Sequence, residues 1–130
     1  MTALPPPPRL DPIMVGPVQI DCPVILAPMT GVSDLPFRRL VRRFGSGLNV
    51  TEMVATPAAI RETRVSLQKI MWDKIEEPVS MQLVGCDPAQ MGEAAKLVED
   101  RGAAIIDINM GCPVRKVVNG YAGSALLREI

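Results

Sequence analysis

Cys112 lies in Asn109-Met110-Gly111-Cys112-Pro113, directly after the apolar run Ala104-Ile105-Ile106-Asp107-Ile108. Such a run reads as a strand buried on both faces, which puts the thiol at a strand's carboxyl end. Gly111 and Pro113 set a tight turn around it. An ordinary thiol is mostly protonated near neutrality and can act as a proton donor. Cysteine is also at home as a small buried hydrophobe, and position alone leaves both readings open. Three further segments close apolar runs in the same way: Pro28-Met29-Thr30-Gly31, Glu52-Met53 and the stretch around Gln82. Together the four offer one thiol, one carboxylate, two amides (Gln82 and Asn109) and backbone around two glycines.

Each of these groups has a second reading. Gln82 shares a strand face with Ser80 and Val84, and a buried amide needs hydrogen-bond partners. Protein groups or the edge of a flavin ring both satisfy that need. Glu52 reads as a ligand contact or as a plain loop carboxylate. Met29, Met53, Met81 and Met110 fit core packing, or a soft surface against an aromatic ring.

Composition removes several kinds of chemistry. The 130 residues contain no histidine, so a His general base, a Ser-His pair and His-containing metal sites are excluded, and no metal is expected. Cys22, Cys86 and Cys112 form no C-x-x-C pair and are odd in number, as free thiols in a reducing cytoplasm would be. Lys and Arg total 14 and so do Asp and Glu, giving a formal charge of zero. Nucleic-acid proteins usually carry a basic patch, but a balanced total can hide a local one. No apolar run approaches a bilayer span, and the start MTALPPPPRLDP lacks the pattern of a signal peptide. The expectation is a cytoplasmic protein without a membrane partner. Residues 1–12, with Pro5 to Pro8, read as a disordered, extended tail.

Strands alternating with amphipathic helices must position these groups. Ile13 to Ile20, broken at Gly16-Pro17, reads as a short hairpin. Strands follow at Val24–Ala27, Leu48–Met53, Pro78–Val84 and Ala104–Ile108. Between the first two, a helix capped by Ser33 or Asp34 carries Pro36 in its first turn and ends at Gly45. Phe37, Leu40, Val41 and Phe44 make its apolar stripe, which directs Arg38, Arg39, Arg42 and Arg43 to solvent. Helical stretches are expected from Thr56 to Ile60 and Arg64 to Ile70. Asp87, Pro88 and Gly102 punctuate another, with Met91, Ala94, Ala95 and Val98 facing inward. A last helix begins near Ser124. The pattern is β-α-β-α-β-α-β, which implies parallel strands with right-handed crossovers. Half of a (β/α)8 barrel or an open doubly wound sheet both fit; the first βα loop lacks the G-x-G-x-x-G of a dinucleotide-binding unit. In either fold, ligands bind at the carboxyl ends of the strands.

The segment Ala27-Pro28-Met29-Thr30-Gly31-Val32-Ser33-Asp34-Leu35-Pro36-Phe37-Arg38 resembles the opening motif of tRNA-dihydrouridine synthases. Thr51-Glu52-Met53 and Met81-Gln82-Leu83 are similar to the next two strand-end motifs. Asp107 to Pro113, followed by Lys116-Val117 and Ala122 to Leu127, resembles the family's cysteine loop, and the continuation is closest to the bacterial B-type branch. The resemblance covers Ile13 to Ile130 and implies the first half of an FMN-containing TIM barrel, about four βα units at residues 13–130. It implies reduction of the C5–C6 bond of tRNA uridines with NADPH as electron donor. Pro28, Met29, Thr30 and Gln82 would then contact FMN. Asn109, Glu52 and Lys116 would contact the RNA substrate, and Cys112 would be the catalytic acid. A (β/α)8 barrel needs about 250 residues, so the chain is expected to be incomplete. Its two open sheet edges invite self-association. Two other readings stand beside this one: another FMN barrel resembling dihydroorotate dehydrogenase, or a non-catalytic fragment or interaction module.

Overall fold

The structure, a computed structural model, describes residues 10–128; the Pro5–Pro8 run lies outside them. Strands β1 (Ile13–Val15) and β2 (Val18–Ile20) form the expected antiparallel hairpin, turning at Gly16. Then come β3 (Ile25–Leu26), α1 (Leu35–Arg43), β4 (Leu48–Val50), β5 (Val54–Ala55), α2 (Thr56–Ile60) and α3 (Arg64–Ile70). A 3-10 turn at Lys74–Glu76 leads into β6 (Val79–Val84), α4 (Pro88–Asp100), β7 (Ile105–Ile108), α5 (Arg115–Val118) and a 3-10 segment at Gly123–Arg128.

Strands β3 to β7 make one parallel sheet. Strand β7 lies along β6 from Ser80 to Leu83, so β4 (at Val79 and Ser80) and β5 (at Leu83 and Val84) must share the opposite side of β6. The expected single strand from Leu48 to Met53 is therefore interrupted at residues 51–53 but keeps its course. Thr51 carries the ladder through the break: its N–H donates to the Ser80 carbonyl, 2.9 Å, and its Oγ1 accepts from the Gln82 N–H, 3.2 Å. Across the sheet the strands follow chain order without reversal. A doubly wound sheet reverses at a switch point, and this one does not. Right-handed crossovers in unbroken order place the helices on one face.

The core occupies that face. Val79, Met81 and Leu83 of β6 pack with Val54, Ala59, Ile70, Ala94 and Val98, so α2, α3 and α4 close over the middle of the sheet. Asp87 caps α4 by accepting from the Gln90 N–H at 2.8 Å, and Gly102 ends it at φ +94°. On α4, Ala94 and Val98 are buried while Glu93, Lys96, Glu99 and Asp100 are exposed, as its periodicity predicts. Directly paired residues in a parallel sheet point to the same side. Ser80 and Gln82 therefore face away from the helices, and the register adds Val50 from β4 and Ile105 and Asp107 from β7 to that side.

Helix α1 overturns its expected orientation. Of the two candidate caps, Ser33 and Asp34, it is Asp34 that serves, but Arg38 is fully buried, while Leu40 is 51% and Phe44 86% exposed. The buried direction is turned roughly 100° from the apolar stripe, one residue's rotation. The cause is Glu76, equally buried, whose carboxylate receives Arg38 Nε at 2.8 Å. The same guanidinium donates to the carbonyls of Ser33 (3.0 Å) and Met71 (2.6 Å). Arg42 also turns back, donating to the carbonyls of Ile75, Ser46 and Glu77. Helical periodicity locates an apolar stripe; it does not register a buried acid elsewhere in the chain that outcompetes it.

The two outer strands also differ from expectation. Val24 to Ala27 and Ala104 to Ile108 read as buried on both faces, yet β3 and β7 are the sheet's edges. Val24 and Ile25 are exposed, and β7 alternates, with Ile106 and Ile108 open beside the covered Met81 and Leu83. Helix α4 packs on both β6 and β7 yet leaves Ile106 and Ile108 open. The chain beyond β7 forms α5 and a 3-10 segment in place of one helix starting near Ser124.

Removing one partner of a buried ion pair leaves an uncompensated charge and costs about 3–5 kcal/mol, whereas an exposed pair contributes about 1 kcal/mol or less. Glu76→Ala is expected to lower stability by the larger amount. Asp73→Ala, which removes the exposed partner of Arg39 and a cap on the 74–76 turn, should cost at most about 2 kcal/mol. Urea unfolding monitored by circular dichroism separates the two; equal losses would mean that the buried pair does not organise α1.

Candidate functional site

Because every strand of the main sheet runs parallel, the loops after β3, β4, β6 and β7 emerge along one edge. The sequence-predicted residues collect there in two hydrogen-bonded groups. The first lies after β3. Met29 N–H donates to Ser33 Oγ at 2.8 Å, and the Met29 carbonyl accepts from the N–H groups of Val32 and Ser33. These bonds fold residues 29–33 into a tight turn, with Gly31 at φ +79°, a backbone conformation that favours glycine. Gly31 N–H then donates to Glu52 Oε1 at 2.6 Å, joining the loop after β3 to the loop after β4. Glu52 is buried, and one of its oxygens is occupied by this backbone contact.

The second group runs from β6 to the cysteine loop. Gln82, nearly buried, donates through Nε2 to Asp107 Oδ2, its direct neighbour across the β6–β7 register. Gln82 Oε1 accepts from Asn109 Nδ2 at 3.0 Å. The other end of the Asn109 amide, Oδ1, accepts from the backbone N–H groups of Gly111 (3.1 Å) and Cys112 (2.9 Å). An asparagine that caps the following turn in this way sets the loop's direction directly from the end of the strand. Asn109 Nδ2 also approaches the Met53 sulfur at 3.6 Å, bringing the break between β4 and β5 against the same amide.

The cysteine loop is clamped from its far side as well. The Cys112 carbonyl accepts from Ser124 N–H at 3.0 Å, and Gly123 passes close against it at φ +61°. A Cβ on Gly123 would stand 2.6 Å from that carbonyl oxygen, so this approach requires glycine. Cys112 itself is half-buried, with its thiol held by a backbone fixed at both ends.

The structure thus brings Gln82, Asn109 and Cys112 into one connected group and links Gly31 with Glu52. Pro28, Met29 and Thr30 lie on the same strand-end edge without a hydrogen bond to Gln82, and Lys116 is exposed on α5. Sequence reasoning missed Asp107, Thr51 and Ser33 as supports. Asp107 left a trace, since an acid inside an apolar strand is rarely buried without a partner. Thr51 and Ser33 left none, because hydroxyls at strand ends are commonplace. Among the described residues, no cluster of three or more Cys, Asp or Glu is placed to hold a metal ion.

This arrangement has relatives. Residues 25–130 match the family model described as Dihydrouridine synthase (Dus). The chain is 56% identical over 119 residues to a probable tRNA-dihydrouridine synthase of Rickettsia bellii, covering 90% of this chain and 36% of the relative. It is 49% identical over 117 residues to tRNA-dihydrouridine synthase B of Pseudomonas aeruginosa, covering 90% and 35%. To a probable tRNA-dihydrouridine synthase of Rhodobacter capsulatus it is 50% identical over 120 residues, covering 90% and 36%. The chain spans about a third of the length of these curated relatives. The match to the family model runs from β3 through the cysteine loop, the stretch that supplies every group in the site, and the chain belongs to the dihydrouridine synthase family.

Proposed function

We propose that residues 13–130 form the first half of a (β/α)8 barrel, and that this half carries the flavin-ring and uracil side of an active site. The reaction is reduction of uridine in tRNA to 5,6-dihydrouridine, with FMN as cofactor and NADPH as electron donor. The observation that carries the reading is the chain from Gln82 through Asn109 to the Cys112 loop at the carboxyl ends of adjacent parallel strands. The unreversed strand order supports the barrel, because consecutive parallel strands are how such a barrel begins.

The residues fit a flavin ring. Gln82 uses one Nε2 proton for Asp107 and one Oε1 lone pair for Asn109, which leaves one donor and one acceptor position. The pyrimidine edge of an isoalloxazine carries both carbonyl oxygens and an N–H. Met29, partly exposed in the β3 loop, offers a soft thioether surface to a ring. Thr30, within the turn over residues 29–33, and Pro28, two residues beyond β3, would add contacts to the ring.

Bound FMN would supply the hydride for uracil C6. The chain's own residues do the remaining work. Asn109 orients the base, which must leave the helical stack to reach a buried site. Cys112 donates its proton to C5 as general acid, on the loop that Asn109 sets. Glu52, through the oxygen that Gly31 does not use, would contact the base, and the exposed Lys116 would contact phosphate.

Barrels of this type commonly hold phosphate on loops after the seventh and eighth strands, and this chain has the first four. The purified chain is therefore expected to bind FMN well below one equivalent and to self-associate through its open edges. Absorbance at flavin wavelengths together with molecular mass tests this; one FMN on a compact monomer would contradict it. In a protein of the relatives' full length carrying this segment, Cys112→Ala should keep its flavin and lose dihydrouridine formation by about 10²-fold or more. Nucleoside analysis of the treated tRNA reads the loss, and undiminished product would remove Cys112 from the chemistry.

A further inference from the structure

Asp107 has no place in the chemistry described above, yet it sits at the head of the hydrogen-bond chain that ends at Cys112. The chain contains two side-chain amides, and each can in principle be turned end for end. A carboxylate only accepts, so Asp107 forces Gln82 to present Nε2 to it. That orientation turns Gln82 Oε1 towards Asn109, which must answer with Nδ2, 3.0 Å away. Asn109 Oδ1 is then left pointing at the backbone N–H groups of Gly111 and Cys112. Reversing Gln82 sets acceptor against acceptor at Asp107 and donor against donor at Asn109; reversing Asn109 as well relieves that second clash only by turning a donor towards the N–H groups of Gly111 and Cys112.

We propose that Asp107 is a positioning residue: its carboxylate fixes the amide of Gln82, and through Gln82 and Asn109 it fixes the loop that holds Cys112. This deepens the functional reading and rests on it for its catalytic consequence, but the geometry belongs to the chain alone. The location explains why the device works. Asp107 and Gln82 are direct partners in the β6–β7 register, so strand pairing holds the carboxylate and the first amide together. Asn109 follows two residues later on the same side of the sheet. The group that chooses the orientation is therefore on rigid structure, and the group that receives it is on a loop.

The test uses hydrogen exchange of the chain, which needs neither flavin nor tRNA. In Asp107→Ala, the amides of Gly111 and Cys112 should exchange roughly tenfold faster, the size of one lost hydrogen bond, while those of Val79–Leu83 stay unchanged. Asp107→Asn, which can still offer an oxygen to Gln82, should restore most of the protection. Asp107→Leu matches the size of the original side chain without an acceptor, and should behave as Asp107→Ala does if the alanine variant fails to fold. Alkylation of Cys112 is a second readout, and its rate should change in the Ala and Leu variants and return towards the original in the Asn variant. Unchanged exchange at Gly111 and Cys112 in the Ala or Leu variant would overturn the proposal. So would acceleration spread evenly through β6, or an Asn variant no better than Ala. Failure of the catalytic reading alone would leave these exchange results intact, so the two can be told apart.

Discussion

The buried pair of Arg38 and Glu76 is the constraint on which the rest of this structure depends. Charges taken out of water cost several kcal/mol each unless every lone pair and proton is matched. Here the groups come from five places in the chain. Arg38 is on α1, Glu76 is on the turn before β6, and the carbonyls of Ser33 and Met71 close the guanidinium. Asn49 of β4 completes the set, donating to the Arg38 carbonyl at 2.9 Å. Ser46 in turn donates to Asn49 Oδ1 at 2.7 Å. Satisfying one ion pair thus locates α1 against β4 and the entrance to β6. It also places the β3 loop, because Ser33 both accepts from Arg38 and shapes the turn at Met29.

The strand ends gain their order from that arrangement. With α1 and the β6 entrance located, β4 pairs with β6 in a single register, and Thr51 bridges the break where the backbone ladder lapses. A slip of one residue between β6 and β7 would send Asp107 to the helix side and Ile106 to the site. The core residues Met81 and Leu83 oppose such a slip, since they alternate with Ser80 and Gln82 along the same strand. Packing on one face thereby sets the polar chemistry on the other. Ile106 and Ile108 stay open to solvent because β7 is an edge strand, and Leu40 and Phe44 because the burial of Arg38 turns the apolar stripe of α1 outward.

Much of this was legible in advance for identifiable reasons. Asp34 and Asp87 announced two helix starts, because capping is a local act between a side chain and amides within three residues. The hairpin showed in its Gly16-Pro17 break. Cys112 could be placed just past a strand's end because apolar runs end where polar loops begin, whereas Gln82 lies within β6 and Glu52 in the break between β4 and β5. Arg38 could not be read correctly, since its partner lies 38 positions away and helical periodicity counts it as surface. Ile106 and Ile108 misled in the opposite sense. An apolar strand looks the same in a sequence whether or not anything covers it.

The sequence by itself determined the kinds of element, their order, the chemical groups at the strand ends and the family resemblance. Those follow from short-range physics and from motifs a few residues long. Tertiary structure alone decided which face of α1 is buried, which strands are edges and which atoms of Gln82 and Asn109 face each other. Each of those outcomes is a choice between alternatives that are locally equivalent. Only contacts between residues far apart in the chain, Arg38 with Glu76 and Gln82 with Asp107 above all, break the tie.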